Sequence, residues 1–397
     1  MKKSLIALAV VSTFAAQAAM AAGDAVTIYG QANVSLDSVS TGSSTNGQTT
    51  NHVGSTQSRL GFKGAEDLGD GLSAIWQIEE GVNFANAQNT PATSGAFTAG
   101  TTVFSGRDTF AGLSSASMGT AIFGIHDTPY KMATRGYDLF ADSIADNRSI
   151  MGTSGTAAGA LGDIRLNNVA AYISPAMNGF TFAGATVTAA EIPAAAANNI
   201  KGGAISTALL YGAGPLSASF AWQKATIGSA NTGTLGGFGT ALGIAASDTI
   251  SEWKLGGGYD LGQGVINAVY EKNSSSIAAG GNAGNPLDRS AFYLAGKYHV
   301  NGNDDVKLAY TSAGNLGAAQ NTGAKQYALG YDHKLSQRTS VYALYTRLSN
   351  GNQATNGYTL ATTDTASAGA PIAAATAGGT GFTGAPSAIA LGLKHAF

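Results

Sequence analysis

The sequence predicts an all-β chain, a transmembrane antiparallel barrel of sixteen strands with a wet interior and an apolar outer wall. Three observations predict it. Apolar and polar residues alternate with period two over stretches as long as twelve residues, and the connections between these stretches alternate short and long. Only 11% of the side chains are charged, yet mean hydropathy is just +0.06. A soluble domain carries about 25% charged residues, so this chain is short of charge for a surface facing water on all sides. No stretch beyond the N-terminus has the roughly 20 consecutive apolar residues that a membrane helix needs. A closed sheet resolves the conflict, because its outer face meets lipid while its inner face meets water.

The first residues, "MKKSLIALAVVSTFAAQAAMAAG", combine a basic start at Lys2 and Lys3, an apolar core, and an A-x-A site at Ala19–Ala21. This pattern is a secretory signal peptide over residues 1–21, with cleavage after Ala21 or Ala22. Residues 22–397 then form a single barrel domain. Removing the two lysines takes the basic count from 21 to 19 against 23 acids, a balance unlike that of a nucleic-acid binder. The chain has no cysteine, so no disulfide framework supports the exported form.

In "VTIYGQANVSLD", Val26, Ile28, Gly30, Ala32, Val34 and Leu36 share one face, and Thr27, Tyr29, Gln31, Asn33, Ser35 and Asp37 share the other. Similar alternation marks "LSASFAWQ", "AFYLAGKYHV" and "DVKLAYT". Short turns rich in Gly, Asn and Asp fall near Asp67, Ser115, Pro175, Gly212, Leu261, Asn301 and Leu335. Long loops occupy 41–57, 85–106, 127–162, 191–201, 227–247, 275–287, 313–323 and 350–385. Seven turns and eight loops require sixteen strands, with both termini on the turn side. The last strand, "SAIALGLKHAF", places Ile389, Leu391, Leu393, His395 and Phe397 outward. Closure pairs it with the first strand and sets Phe397 in an aromatic girdle, alongside Phe180, Tyr259, Tyr298 and Tyr331.

The blocks "VTIYG", "SRLGFKGAEDLGDGLSAIWQIE", "RDTFAGLSSASMGT", "NNVAAYISPAMNGFTF" and "GLKHAF" resemble the Gram-negative general-diffusion porins, of the type found in Burkholderia and Neisseria. The resemblance covers essentially the whole mature chain. It implies a trimer, a third long loop folded into the lumen, and a C-terminal aromatic, Phe397, that signals outer-membrane assembly. It further implies an acidic cluster on that loop, Asp138 and Asp142, facing a basic cluster on the wall, Arg59, Arg107 and Arg165. Strand phase independently turns Arg59 and Lys63 inward if Leu60 and Phe62 face lipid. It turns Arg107, Thr109 and Ala111 inward if Phe110 faces lipid, and Arg165 inward if Leu166 and Tyr172 face out. An arginine facing lipid at mid-membrane would cost roughly 2–4 kcal/mol. Guanidinium also keeps its charge in a crowded basic cluster, where an ammonium loses its proton more readily. Gln31 stands where some relatives carry lysine, and Ile125-His126 where relatives commonly carry arginine. Gln31, Lys63, His126 and Asp127 are expected in the lumen. Lys131, Asp146 and Arg148 either line the eyelet or decorate the loop.

Little else in the chain suggests chemistry. The five histidines show no zinc spacing, and Glu79 and Glu80 fall on opposite faces of a strand. No cofactor or metal is expected. The expected function is a water-filled channel in the cell outer membrane for passive diffusion of small hydrophilic solutes and ions. Its partners would be two further copies of the chain, outer-membrane lipid and lipopolysaccharide, and the barrel assembly machinery, but no nucleic acid. The alternatives are a substrate-specific outer-membrane channel, a barrel enzyme with its nucleophile or acid pair at the rim, and a soluble secreted β protein.

Overall fold

The computed structural model describes residues 26–40, 42, 49–85, 106–152, 162–188, 202–226, 248–276, 288–317, 320–351, 358, 360 and 385–397. The expected signal peptide and most of the expected long loops lie outside these residues. Among the described residues, no helix is long and apolar enough to cross a membrane.

Seventeen strand segments form one antiparallel sheet: β1 (Thr27–Ser40), β2 (Thr49–Ser55), β3 (Arg59–Gly69), β4 (Leu72–Gly81), β5 (Thr109–Ser115) and β6 (Gly119–Asp127) lead into helix α1 (Pro129–Arg135). After it come β7 (Arg165–Ile173), β8 (Phe180–Thr188), β9 (Gly203–Ala213), β10 (Leu216–Thr226), β11 (Thr249–Asp260) and β12 (Gly264–Ser275). The last five are β13 (Arg289–His299), β14 (Asp304–Ala313), β15 (Ala324–Lys334), β16 (Thr339–Asn350) and β17 (Ser387–Ala396). Apart from β2 and β3, which both pair with β1, each pairs with its neighbours in sequence, and β17 returns to pair with β1 from Gln31↔Ala396 to Ser40↔Ser387. The sheet is therefore closed. β2 and β3 lie end to end along β1, so the barrel has sixteen strands around its circumference.

All seven expected turns join strands at the expected positions, and the alternation separates two environments. On β1 the outward Ile28 and Leu36 are exposed, while Gln31, Asn33, Ser35 and Asp37 are buried on the inner face. On β17 the outward Ile389, Leu391 and Leu393 oppose the inward Ala388, Ala390, Gly392 and Lys394. Phe180, Tyr259, Tyr298, Tyr331 and Phe397 are all exposed, as a turn-side girdle requires.

The structure departs from simple alternation in the expected loop at 41–57. Residues Thr49–Ser55 are strand, joined to β3 through Thr56–Ser58, where Gln57 adopts φ 56°. Three residues here oppose two on β1, since Val34 pairs with Ser55 and Gln31 with Arg59. This bulge resets the phase, so that Val53 faces out and Arg59 faces in, although both are odd-numbered.

The seam is closed by the chain end itself. Gly30 N–H donates to Phe397 O at 3.0 Å, and Phe397 N–H donates to Gly30 O at 3.1 Å. The Phe397 ring lies across Gly30, where a β-carbon would also stand 2.6 Å from the backbone oxygen of Arg59. Gly30→Val is expected to displace the ring and strain β3, costing about 1–3 kcal/mol. A lower unfolding temperature in heat-modifiability gels, with the folded form still obtained, is the expected outcome.

Candidate functional site

The connection after β6 does not stay outside the barrel. Thr128 caps α1, accepting from Lys131 N–H at 3.3 Å, with Pro129 in the first helical turn. From there, residues 128–152 lie against the inner wall and meet inward-facing groups on both sides of it. Tyr130 N–H donates to Ser206 Oγ on β9 at 2.9 Å, and Asn267 Nδ2 on β12 donates to Tyr137 O at 2.9 Å. Tyr293 Oη on β13 accepts from Leu139 N–H at 3.0 Å and donates to Asp138 Oδ1 at 3.0 Å. Asn33 Nδ2 on β1 donates to Asp142 O at 2.5 Å.

Glycines on the wall make this close approach possible. The Tyr137 ring fills the space that side chains would occupy at Gly256 and Gly258 on β11, and Phe140 does the same at Gly330 on β15. Two glycines of the "LGGGYD" stretch therefore seat a lumen aromatic. The returning end is held by charge. Glu271 on β12 accepts from Gly152 N–H at 3.0 Å and pairs with Arg289 Nη2 at 2.6 Å and Lys254 Nζ at 3.3 Å. Arg289 Nη1 donates to Ile150 O at 2.8 Å, and Lys254 also pairs with Asp163.

The structure brings Arg59, Arg107 and Asp142 to one place, together with a residue that sequence reasoning set aside. Glu79 faces inward from β4. It pairs with Arg107 Nε, stands 3.8 Å from Arg59 Nε, and accepts from Tyr29 Oη at 2.9 Å. Arg59 Nη1 also reaches Asp142 Oδ2 at 3.5 Å, so loop and wall are in contact here with no gap between them. On the loop side, Arg135 binds Asp142 at 2.8 Å and Asp146 at 2.6 Å. Burial alone would raise the pKa of Asp142, but Arg135 and Arg59 outweigh it and hold the carboxyl well below the ordinary range. Asp146 is likewise held low against its burial, by Arg135 and Arg148.

Arg107 lies just ahead of β5, but not for the reason strand phase suggests. Phe110 is only 6% exposed and packs inside on Ile75 and Ile122, edge-on to His126, so Thr109 and Ala111 take the outer face. Arg107 is turned toward Glu79 by its own backbone, whose N–H donates to Glu79 O at 3.1 Å. Leu166 also departs from expectation. It is 4% exposed in an inner cluster with Val169, because Asn168 at φ 56° breaks the phase of β7. Arg165, the first residue of β7, is held by Asp108 at 2.6 Å and Asp127 at 3.0 Å, and it does not touch the Arg59–Glu79–Arg107 group.

The remaining sites fall into place around these. Asp138 is buried within the loop fold, where it accepts from Phe140 N–H at 2.9 Å, Asn147 N–H at 3.0 Å and Tyr293 Oη, and it does not face the lumen opening. Gln31 is inward and buried. Lys63 stands over the Tyr29 ring, 5.1 Å from its centroid. His126 is buried with its Nδ1 against Asp127 O at 2.7 Å, and Asp127 pairs with Lys131 at 2.9 Å. Arg148 pairs with Asp146. Lys394 is the second residue missed. It points inward from β17 toward Asp142 and Arg59, and among the described residues no carboxylate lies within 4.0 Å of it. Its place on the small face of "GLKHAF" was the available signal.

Comparison with known proteins agrees with this geometry. The family model described as Gram-negative porin matches residues 6–353. Outer membrane porin protein 32 of Delftia acidovorans is 32% identical over 365 residues, covering 90% of this chain and 92% of that one. An outer membrane porin protein of Bordetella pertussis is 27% identical over 315 residues, 72% and 75% of the two chains. The major outer membrane protein P.IB of Neisseria gonorrhoeae matches more locally, 41% over 90 residues. Among solved structures, an anion-selective porin from Comamonas acidovorans superposes with a TM-score of 0.70 at 25% identity, covering 94% of this chain and 99% of that one.

Asp138→Asn would turn an amide donor toward a ring of donors. It is expected to cost about 1–3 kcal/mol in local loop stability, read as faster limited proteolysis between residues 128 and 152 and greater single-channel current noise.

Proposed function

The chain belongs to the Gram-negative porin family and forms an outer-membrane channel for passive diffusion, and we propose that its solutes are small hydrophilic molecules and ions. We further propose that the passage is narrowest where Asp142 on the inward segment meets Arg59, Arg107 and Glu79 on the wall, with Lys394 alongside. The observation that carries this reading is the Arg59–Asp142 contact at 3.5 Å, which ties the loop to the wall inside the barrel. Charges held in a narrow, low-dielectric passage act on a permeant ion far more strongly than they would in bulk water.

Arg59 and Arg107 share Glu79, and Arg59 also meets Asp142, so much of the basic charge is compensated locally. Lys394 and Lys63 have no such partner among the described residues, and both face inward. The excess is positive, which supports a modest preference for anions, in line with the description of the Comamonas relative as anion-selective. Arg165 is read as a supporting charge near the loop-side end of the wall, neutralised by Asp108 and Asp127. Asp138 is read as a group that shapes the loop.

The remaining proposals rest on family membership. The working unit is a homotrimer, Phe397 is the assembly signal read by the barrel assembly machinery, and the chain is exported by cleavage after residue 21 or 22. The protein is a channel and has no catalytic role; lipid or peptide hydrolysis by the purified protein would count against that.

Refolded protein added to planar bilayers is expected to give stepwise conductance, commonly in threes, and silent bilayers with folded protein would overturn the reading. Replacing Arg59 and Arg107 together by serine leaves Glu79 without a cationic partner and Asp142 with Arg135 alone. The reversal potential in a salt gradient is expected to move toward cations and the conductance to rise. Unchanged selectivity would remove both residues from the constriction.

A further inference from the structure

We propose that the turn-side inner wall of β13–β17 holds a second station for solutes, a binding site for a small doubly charged oxyanion formed by Lys297, Lys307, Lys334, Lys394 and Ser340. The inference rests on the reading of the chain as a channel with an excess of positive charge in its lumen. It adds where that excess is concentrated and which class of solute it holds.

All five residues lie on the inner face near the turn-side ends of their strands. Register sets them in two rows. In one, Lys334 on β15 pairs across the ladder with Ser340 on β16, and Ser340 pairs in turn with Lys394 on β17. An ammonium, a hydroxyl and a second ammonium thus follow one another on adjacent strands, which stand about 4.8 Å apart. In the other row, Lys297 on β13 lies directly opposite Lys307 on β14. The rows are within electrostatic reach of each other, since Lys297 feels both Lys307 and Lys334, and Lys394 feels Lys307. They form one charged patch.

Between the rows lie two carboxylates, Asp305 and Asp332, opposite each other on β14 and β15. Each already has an ammonium of its own. Asp332 pairs with Lys307 at 2.6 Å and Asp305 with Lys334 at 3.3 Å, and His299 also contacts Asp305. Lys297 and Lys394 are left without an ion-pair partner among the described residues, so the patch carries two positive charges in excess. Like charges set directly opposite on a ladder, as Lys297 and Lys307 are, destabilise the pairing. Neutralising the two aspartates accounts for Lys307 and Lys334 alone. A ligand with two negative charges balances the remaining pair, and the ammonium groups and the Ser340 hydroxyl offer its oxygens charge-assisted hydrogen bonds.

The station adjoins the passage without coinciding with it. Lys394 lies toward Asp142 and Arg59, and Lys307 stands over the Phe140 ring of the inward segment, 4.9 Å from its centroid. Lys297 is two residues from the turn-side end of β13. A dianion that has cleared the passage therefore meets Lys394 first and Lys297 last before it leaves the barrel. Charge pairing along the wall runs the same way. On the loop side Arg165, Lys254 and Arg289 are each bound by carboxylates. Among the described inward cations of the strands, those without an ion-pair partner are Lys63, Lys297 and Lys394, all in the turn-side half. Unbalanced positive charge in a cleft with low-dielectric walls concentrates anions there.

The test uses the full refolded chain, in detergent and in planar bilayers. The probes are sulfate as a compact dianion, succinate as an extended one, and acetate as a singly charged control. Equilibrium dialysis at low ionic strength, where screening is weak, is expected to show saturable retention of a dianion and much weaker retention of acetate. Retention of sulfate alone would assign the station to inorganic oxyanions, and of succinate alone to dicarboxylates; either supports it. K297Q/S340A is expected to lose on the order of tenfold in affinity for the retained dianion, and K297R to bind as the wild type does. In bilayers the same dianion is expected to reduce the chloride current saturably. Its on-rate is expected to differ between the two faces, because from one of them the station is reached without crossing the passage. Equal retention of acetate and the dianions, equal retention by wild type and K297Q/S340A, or equal on-rates from both faces would overturn the proposal. Should the double variant fail to fold, K297Q alone must lose retention while K297R keeps it, and any other result would equally overturn the station. A conducting channel that retains neither dianion would remove the station and leave the channel reading intact. A silent channel that retains one would support the station and count against the channel reading alone.

Discussion

Every other feature depends on the seam between β1 and β17. Hydrocarbon offers no partner for a backbone N–H or C=O, so a spanning sheet with one open edge would leave a full row of them unpaired, each costing several kcal/mol. The register from Gln31↔Ala396 to Ser40↔Ser387, extended by the reciprocal pair between Gly30 and Phe397, removes that edge. Two inputs meet there: a glycine on the lipid face of the first strand, and an aromatic as the terminal residue. The small residue gives the ring a bed, and the ring covers the end of the ladder. Once closure fixes which face is inside, period-two alternation decides the rest of the wall.

The interior then has to be narrowed without being filled, and the inward segment does this from one side. Its aromatic residues sit in glycine and serine positions of β9–β15, and its backbone polar groups find partners in Ser206, Asn267, Tyr293, Asn33 and Arg289. A loop brought into a barrel must satisfy its own backbone as strictly as a strand does. Where the segment meets β3 and β4, Arg59 and Arg107 share Glu79, Arg59 also reaches Asp142, and Lys394 faces inward nearby. The receiving wall thus combines small residues that seat the loop's aromatics with buried charges that hold its returning end.

Much of the fold was legible in the sequence because two-residue alternation and turn chemistry are local signals. The seven turns, the strand count and the outward face of "SAIALGLKHAF" needed nothing more. Sequence reasoning failed where one extra residue shifts the phase. The expected loop at 41–57 hides the strand Thr49–Ser55 because the bulge at Thr56–Ser58 breaks its phase from that of β3, and Leu166 turns inward because of Asn168. Phe110 misled for another reason. An aromatic on a barrel strand suggests lipid, but here it lines the wall beneath His126. Glu79 went unread because its significance lies in two arginines that are near it only after folding. Lys394 lay in plain sight on the small face of the last strand, yet its role needs Asp142 from a segment some 250 positions earlier. Asp138 and Asp142 look equivalent in "GYDLFAD", and only the fold buries one within the loop and sets the other against Arg59 and Arg135.

The buried cluster around Glu271 carries a consequence for the inward segment. Lys254, Arg289 and Glu271 are almost wholly withdrawn from solvent, and they grip the segment through Ile150, Gly152 and Asp163. Swinging that segment out would strand several ions in a poorly solvated place, and breaking even one such buried pair costs about 3–5 kcal/mol. Displacing the inward segment from the wall is therefore costly, and this cluster makes its anchorage part of the fold itself.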